Sequence, residues 1–164
     1  MARKAPPPRK TPLASPPAWI ATWFGAGLLP AAPGTWGSLA ALPVAWLIQA
    51  MGGRIALALA AILLLAIGTW ATDRVLRDAD SKDPGFVVVD EVVGQWITVL
   101  PAALDPFHYG FGFVLFRVAD VIKPWPVSWA DRRIPGAAGV MADDVAAALY
   151  AAPILYLLIH IVGV

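Results

Sequence analysis

The 164-residue sequence has no cysteine and only two histidines. Disulfides, thiolate nucleophiles and Cys-based zinc or iron–sulfur centres are therefore excluded. Charge is also scarce: Asp, Glu, Lys and Arg make up 14% of the chain, about half the usual share of about 25%. The net charge of +1 offers no basic field to a nucleic acid. Hydrophobic residues make up 59% and the mean hydropathy is +0.70. That is too apolar for a disordered chain or for an ordinary water-soluble domain. The composition and length suit a small all-α protein: one domain, polytopic, with about four to five transmembrane or re-entrant helices.

Residues 1–18 differ in kind, with six prolines and four cations. They read as a disordered Pro-rich cytoplasmic tail, leaving 19–164 as the membrane-embedded domain. Five apolar stretches follow, at 36–51, 55–71, 86–104, 111–122 and 140–164. Several fall short of the roughly 20 residues a straight span prefers, and the fourth either starts earlier or is partly re-entrant. Gly52-Gly53 predicts a tight turn between the first two. The tail, the 72–85 loop and the 117–133 region carry eleven of the twelve Lys and Arg. The five-span reading puts all three on one face, which the positive-inside rule makes cytoplasmic.

Ten of the eleven acids keep to that face; Asp105 alone lies opposite. Two adjacent pairs stand out, Asp90-Glu91 and Asp143-Asp144, each about one turn inside an apolar run. A charge near mid-bilayer costs roughly 2.5–3.5 kcal/mol on insertion scales. In one reading these acids are helix N-terminal residues that face interfacial water and are favoured by the helix dipole. In the other they converge on a hard divalent cation; oxygen donors without Cys or His suit magnesium, manganese or calcium.

Arg117, Asp120 and Lys123 recur every three residues and share a helix face. They read either as an intrahelical ion-pair ladder or as a phosphate grip beside a metal-binding or water-orienting carboxylate. Pro124 and Pro126 then end that helix, and Trp125 and Trp129 suit an interfacial aromatic belt. Gly34, Thr35 and Ser38 precede the first apolar stretch. Thr35 or Ser38 suits a helix cap, and glycine-rich backbone at a helix start suits an anion or close helix packing. His108 and His160 fall away from the acids, which argues against a histidine nucleophile.

These blocks together carry a resemblance. Gly25-Ala-Gly27 with Pro33-Gly-Thr-Trp-Gly-Ser38 comes first, then Asp83-Pro-Gly and Asp90-Glu91-Val-Val-Gly94-Gln-Trp96-Ile-Thr98. Phe116-Arg117-Val-Ala-Asp120-Val-Ile-Lys123-Pro124-Trp-Pro126 follows, with Asp131, Gly136, Gly139, Met141 and Asp143-Asp144 after it. In this order the sequence resembles the phosphatidylglycerophosphatase A family over roughly residues 19–150. Ala137 departs from the pattern, where a second glycine is usual before Gly139; the tail lies outside it.

The resemblance implies a magnesium-dependent phosphatase of the bacterial inner membrane, facing the cytoplasm, that acts on phosphatidylglycerophosphate. On that reading Asp90, Glu91, Asp143 and Asp144 hold Mg2+, while Arg117 and Lys123 neutralise phosphate oxygens. Asp120 or Asp83 binds metal or serves as base, and Gly34, Thr35 and Ser38 receive phosphate. Attack by water and attack by a carboxylate both remain open. Two other classes share intramembrane acids. A phosphatidyltransferase is disfavoured because its Asp-Gly-x2-Ala-Arg run is absent. An ion-binding transporter is disfavoured because no acid lies at mid-depth.

Overall fold

A computed structural model describes residues 15–77 and 84–163. Among them all regular secondary structure is helical, with no strand. The helices are α1 (Pro16–Ala21), α2 (Pro33–Arg77), α3 (Val89–Thr98), α4 (Pro106–Ile122), α5 (Val127–Arg133) and α6 (Gly136–Leu157). A π-helical turn, Leu158–Val162, extends α6. Residues 1–14 of the expected tail lie outside the described residues, and 16–18 belong to α1.

Helix α2 is two limbs, 33–52 and 54–77, separated by Gly53 at φ 70°, ψ −171°. Only glycine takes that backbone region without strain. If α2 were straight, Gly37 and Gly68 would lie about 46 Å apart at 1.5 Å per residue. Instead Gly37 packs on Val88 and Gly68 on the adjacent Val89. At the other end Gln49 Nε2 donates to the Ala102 carbonyl (2.8 Å) and Arg54 to the Pro101 carbonyl (3.2 Å). The limbs are therefore a hairpin folded at Gly53, as the Gly52-Gly53 pair predicts. Close approach is eased by the small Ala41, Ala45 and Ala61, which with Leu57 share one core with Val92 and Trp96.

Helix α3 sits inside this hairpin and against α6 and α4. Val92, Val93, Gln95 and Thr98 are fully buried on it. At ten residues it is about 15 Å long, so 86–104 is not the single long helix its apolar run suggests. The chain is extended or turning on both sides of α3. Such backbone is tolerated at membrane depth only within protein, and Val87, Val88, Val99 and Ala102 are indeed buried.

Helix α4 starts five residues before the predicted stretch. Asp105 caps it by accepting from the backbone N–H groups of Phe107 (2.8 Å) and His108 (3.2 Å), with Pro106 at the first helical position. It ends where the prolines predict, with Lys123 left-handed at φ 49°. Helix α6 starts four residues before the predicted 140.

The bundle is apolar outside, and its largely apolar interior also holds polar and acidic side chains. Leu47, Met51, Ile55, Leu59 and Ile62 are more than half exposed, as are Val121 and Ile122. Ser38, Gln49, Thr72, Asp90, Gln95, Asp143 and Asp144 are buried. Two helices, Pro33–Arg77 and Gly136–Val162, are long and apolar enough to cross a membrane.

Candidate active site

The acids meet because three helix segments start or end at one end of the bundle. Asp90 and Glu91 stand in the first turn of α3, where the helix dipole favours negative charge. Asp144 projects from the third turn of α6, at 3% exposure. Ligand oxygens of Asp90, Glu91 and Asp144 all lie within 4.8 Å of one another. Glu91 Oε2 and Asp144 Oδ2 are buried and have no hydrogen-bond partner. Asp144 also lies within hydrogen-bonding reach of Asp120. The first pair is helix N-terminal, as one reading expects, yet Asp90 is buried rather than facing water.

Arg117 on α4 stands beside this group. Its Nη1 pairs with Asp120 Oδ2 at 2.7 Å, one helical turn on, and stands 3.9 Å from Glu91 Oε1. It also donates to Ser38 Oγ at 3.4 Å, which ties α4 to the first limb of α2. Its Nε is buried and unpartnered. Arg117 and Asp120 thus form the expected i,i+3 ion pair, and that pair brings Arg117 to Glu91.

Gly34, Thr35 and Ser38 lie inside α2, which begins at Pro33, so neither Thr35 nor Ser38 caps it. Ser38 donates back to the Gly34 carbonyl, 2.9 Å away. Gly34 faces Glu91: a Cβ added at 34 would overlap Glu91 Oε1. The first turn of α2 thus receives a carboxylate of this chain, where the anion-cradle reading expects a ligand. Thr35 is half-buried beside it.

Asp143 turns away from the other three acids. Lys123 Nζ donates to Asp143 Oδ2 (2.6 Å) and to Asp131 Oδ1 (2.7 Å), clasping α4, α5 and α6 together. Burial works against the lysine charge, but hydrogen bonds and attraction from Asp131 and Asp143 outweigh it and hold Lys123 above the ordinary lysine range. The equal spacing of Arg117, Asp120 and Lys123 does not reveal this division, because Lys123 is the left-handed cap. Asp83 lies outside the described residues. His108 stands in the first turn of α4 at the far end, and His160 stacks on Tyr156 with centroids 4.2 Å apart. Gln95 is a polar residue that sequence reasoning passed over. It is fully buried, both amide heteroatoms lack a partner, and it follows Glu91 by one helical turn. Its i+4 spacing from Glu91 was the available signal.

The fold and site define an α-helical membrane protein with a buried acidic centre beside an arginine. Residues 19–159 match the family model of phosphatidylglycerophosphatase A. The Phosphatidylglycerophosphatase A of Escherichia coli K12 is 38% identical over 142 residues, covering 86% of this chain and 82% of that protein. The protein of the same name from Haemophilus influenzae is 35% identical over 154 residues, covering 92% and 93%. A Bacteroides thetaiotaomicron protein named as a candidate phosphatidylinositol-3-phosphatase is 36% identical over 141 residues, covering 82% and 87%. No solved structure matches. The chain belongs to the phosphatidylglycerophosphatase A family, a family of phosphatases.

Proposed function

We propose that this protein hydrolyses phosphatidylglycerophosphate to phosphatidylglycerol and inorganic phosphate, with Mg2+ held by Asp90, Glu91 and Asp144. The observation that carries the reading is the convergence of those three carboxylates beside Arg117. Buried carboxylates crowded together repel one another and need a cation or protons. Arg117 is already paired with Asp120. The unpartnered Glu91 Oε2 and Asp144 Oδ2 are hard oxygen donors of the kind magnesium prefers. The donor set therefore fits the ion. When bound, Mg2+ polarises a phosphoryl group and lowers the pKa of a coordinated water.

The chain's own residues supply the rest. Arg117, aimed by Asp120, neutralises charge developing on the nonbridging phosphate oxygens. The Ser38 hydroxyl, which donates to the Gly34 carbonyl and accepts from Arg117, helps hold that guanidinium in place. Asp120 is placed to accept the proton of an attacking water. Lys123 and Asp143 support the site through the three-helix clasp, and Thr35 flanks it in the first turn of α2. Closely packed helices keep bulk water from the acids.

The site end is the cytoplasmic end in this reading. Arg74, Arg77, Arg132 and Arg133 lie in or beside elements that end there, whereas Arg54 bonds Pro101 at the far end. The hairpin limbs, α4 and α6 cross the inner membrane, and the segment around α3 crosses within the protein. A phosphatase at that interface meets a lipid headgroup without drawing its tails out of the bilayer.

The test is phosphate release by the purified protein from defined lipid phosphates, with and without chelator. The reading predicts release from phosphatidylglycerophosphate, loss with chelator and recovery with Mg2+. The name of the Bacteroides relative makes phosphatidylinositol 3-phosphate the natural comparison. Preferential release from that lipid would overturn the substrate assignment.

A further inference from the structure

The first limb of α2 and α4 meet along a seam that begins at the site. At the site end the seam is bridged by Arg117 and Ser38. At the far end it is clamped: Tyr109 donates to Gln49 Oε1 at 2.8 Å, and the Trp46 and Tyr109 rings meet edge-on at 5.0 Å. Tyr109, Phe113 and Arg117 recur every four residues on α4, and Ser38, Leu42 and Trp46 do so on α2. Residues spaced this way share a helix face. Phe113 and Leu42 take the middle positions of these two faces, and both are half-buried. Bilayer-facing Leu39, Val114 and Val121 border it. From Arg117 to Tyr109 the seam runs about 12 Å.

Beneath it lies α3. Glu91 touches both walls, Gly34 of α2 and Arg117 of α4, so the next residue on that face, Gln95, lies under the seam one turn deeper. Its neighbour Trp96 donates to the Ala41 carbonyl on the same limb of α2, 3.0 Å away. The fully buried Gln95 amide has no partner on either heteroatom. Buried polar groups are nearly always satisfied, so this exception calls for a physical explanation.

We propose that this seam seats the non-phosphate part of a lipid phosphomonoester. An acyl chain lies over Leu42 and Phe113, and the polar glycerol linkage meets the Gln95 amide. The inference rests on the phosphatase reading and adds where the lipid lies. Phosphate then meets Arg117, and one turn further in the linkage meets the Gln95 amide while the tail meets Phe113 and Leu42. The bilayer supplies the ligand sideways, through the apolar border. Gln95 is a specificity residue here, selecting an ester-linked glycerol over a bare phosphate.

The experiment uses the full protein in nanodiscs of unlabelled phosphatidylcholine, with phosphatidylglycerophosphate carrying a diazirine in one acyl chain. Photolabelling is expected within 39–46 and 110–117, suppressed by excess unlabelled substrate and lowered at least tenfold by Arg117→Ala. Labelling that centres on the other limb, around Leu59 and Ile62, or that ignores Arg117→Ala, overturns the proposal. Gln95→Leu is expected to raise KM for the lipid about fivefold, the effect of one lost hydrogen bond, without lowering Tm. An unchanged KM, or a lower Tm with unchanged KM, assigns Gln95 to packing and overturns its part. Phosphate release by the unsubstituted protein separates the two failures. Release with mislocated labelling sinks the seam alone; no release from any lipid phosphate sinks the phosphatase reading and the seam with it.

Discussion

Gly34 and Glu91 share one space: the position a Cβ would take at residue 34 is filled by Glu91 Oε1. The start of α2 and the start of α3 are locked together through that contact, and the carboxylate is held where Arg117 and Asp144 can address it. A glycine quoted for its place in a phosphate-binding segment thus positions a carboxylate.

Gly34→Ala is therefore expected to displace Glu91 while the hairpin still folds. A misplacement of about 1 Å in a catalytic group costs on the order of a hundredfold in rate. Phosphate-release kinetics should show a loss of that size with near-normal yield of folded protein. Near-normal turnover would mean that Glu91 does not need its present position.

The two neighbouring acids of α6 should behave differently. Asp144→Asn removes a member of the three-carboxylate group and should lower turnover at least ~100-fold, the upper end of what loss of even an outer partner of a metal costs. Asp143→Asn weakens the bond to Lys123 and should act mainly on stability, visible in thermal denaturation. Equal kinetic losses in the two variants would contradict the division seen between Asp143 and Asp144.

The Lys123 clasp carries a pH signature. The folded-state pKa lies above the unfolded one, so its stabilising contribution is full below the ordinary lysine value of about 10.4 and fades as pH rises through the folded value. Lys123→Met should lower Tm by a constant amount between pH 6 and 9, with the gap narrowing only in strong alkali. A gap that varies across pH 6–9 would place the relevant titration elsewhere.

Gly53→Val should destabilise the hairpin, because a β-branched residue is forced into a glycine-only conformation at φ 70°, ψ −171°. The expected cost is about 1–3 kcal/mol, measurable by thermal melting in detergent, with activity retained at low temperature.

Much of this was legible in the sequence. Gly52-Gly53 marked the hairpin tip because no other pair in that apolar stretch permits reversal, and the prolines after Lys123 marked the end of α4. The paired acids drew attention because charge is rare in the chain. Helix lengths were less legible. The apolar run at 86–104 hides a ten-residue α3, since hydropathy reports burial and not hydrogen bonding. The early starts of α4 and α6 depend on Asp105 capping and on chain preceding the apolar core. Asp143 and Asp144 look equivalent in sequence; only the tertiary approach of Lys123 separates them. Gln95 was hidden in the same way, because one glutamine in a helix is unremarkable until both faces around it are closed.

The central claim is that Asp90, Glu91 and Asp144 form a divalent-cation site. It is tested most directly by titrating the purified protein with Mn2+ and following the free ion by electron paramagnetic resonance. Saturable binding is expected, displaced by Mg2+ and abolished by Glu91→Gln and by Asp144→Asn, while Asp143→Asn largely keeps it. Binding that survives both Glu91→Gln and Asp144→Asn, or no saturable binding by the unsubstituted protein, would contradict it.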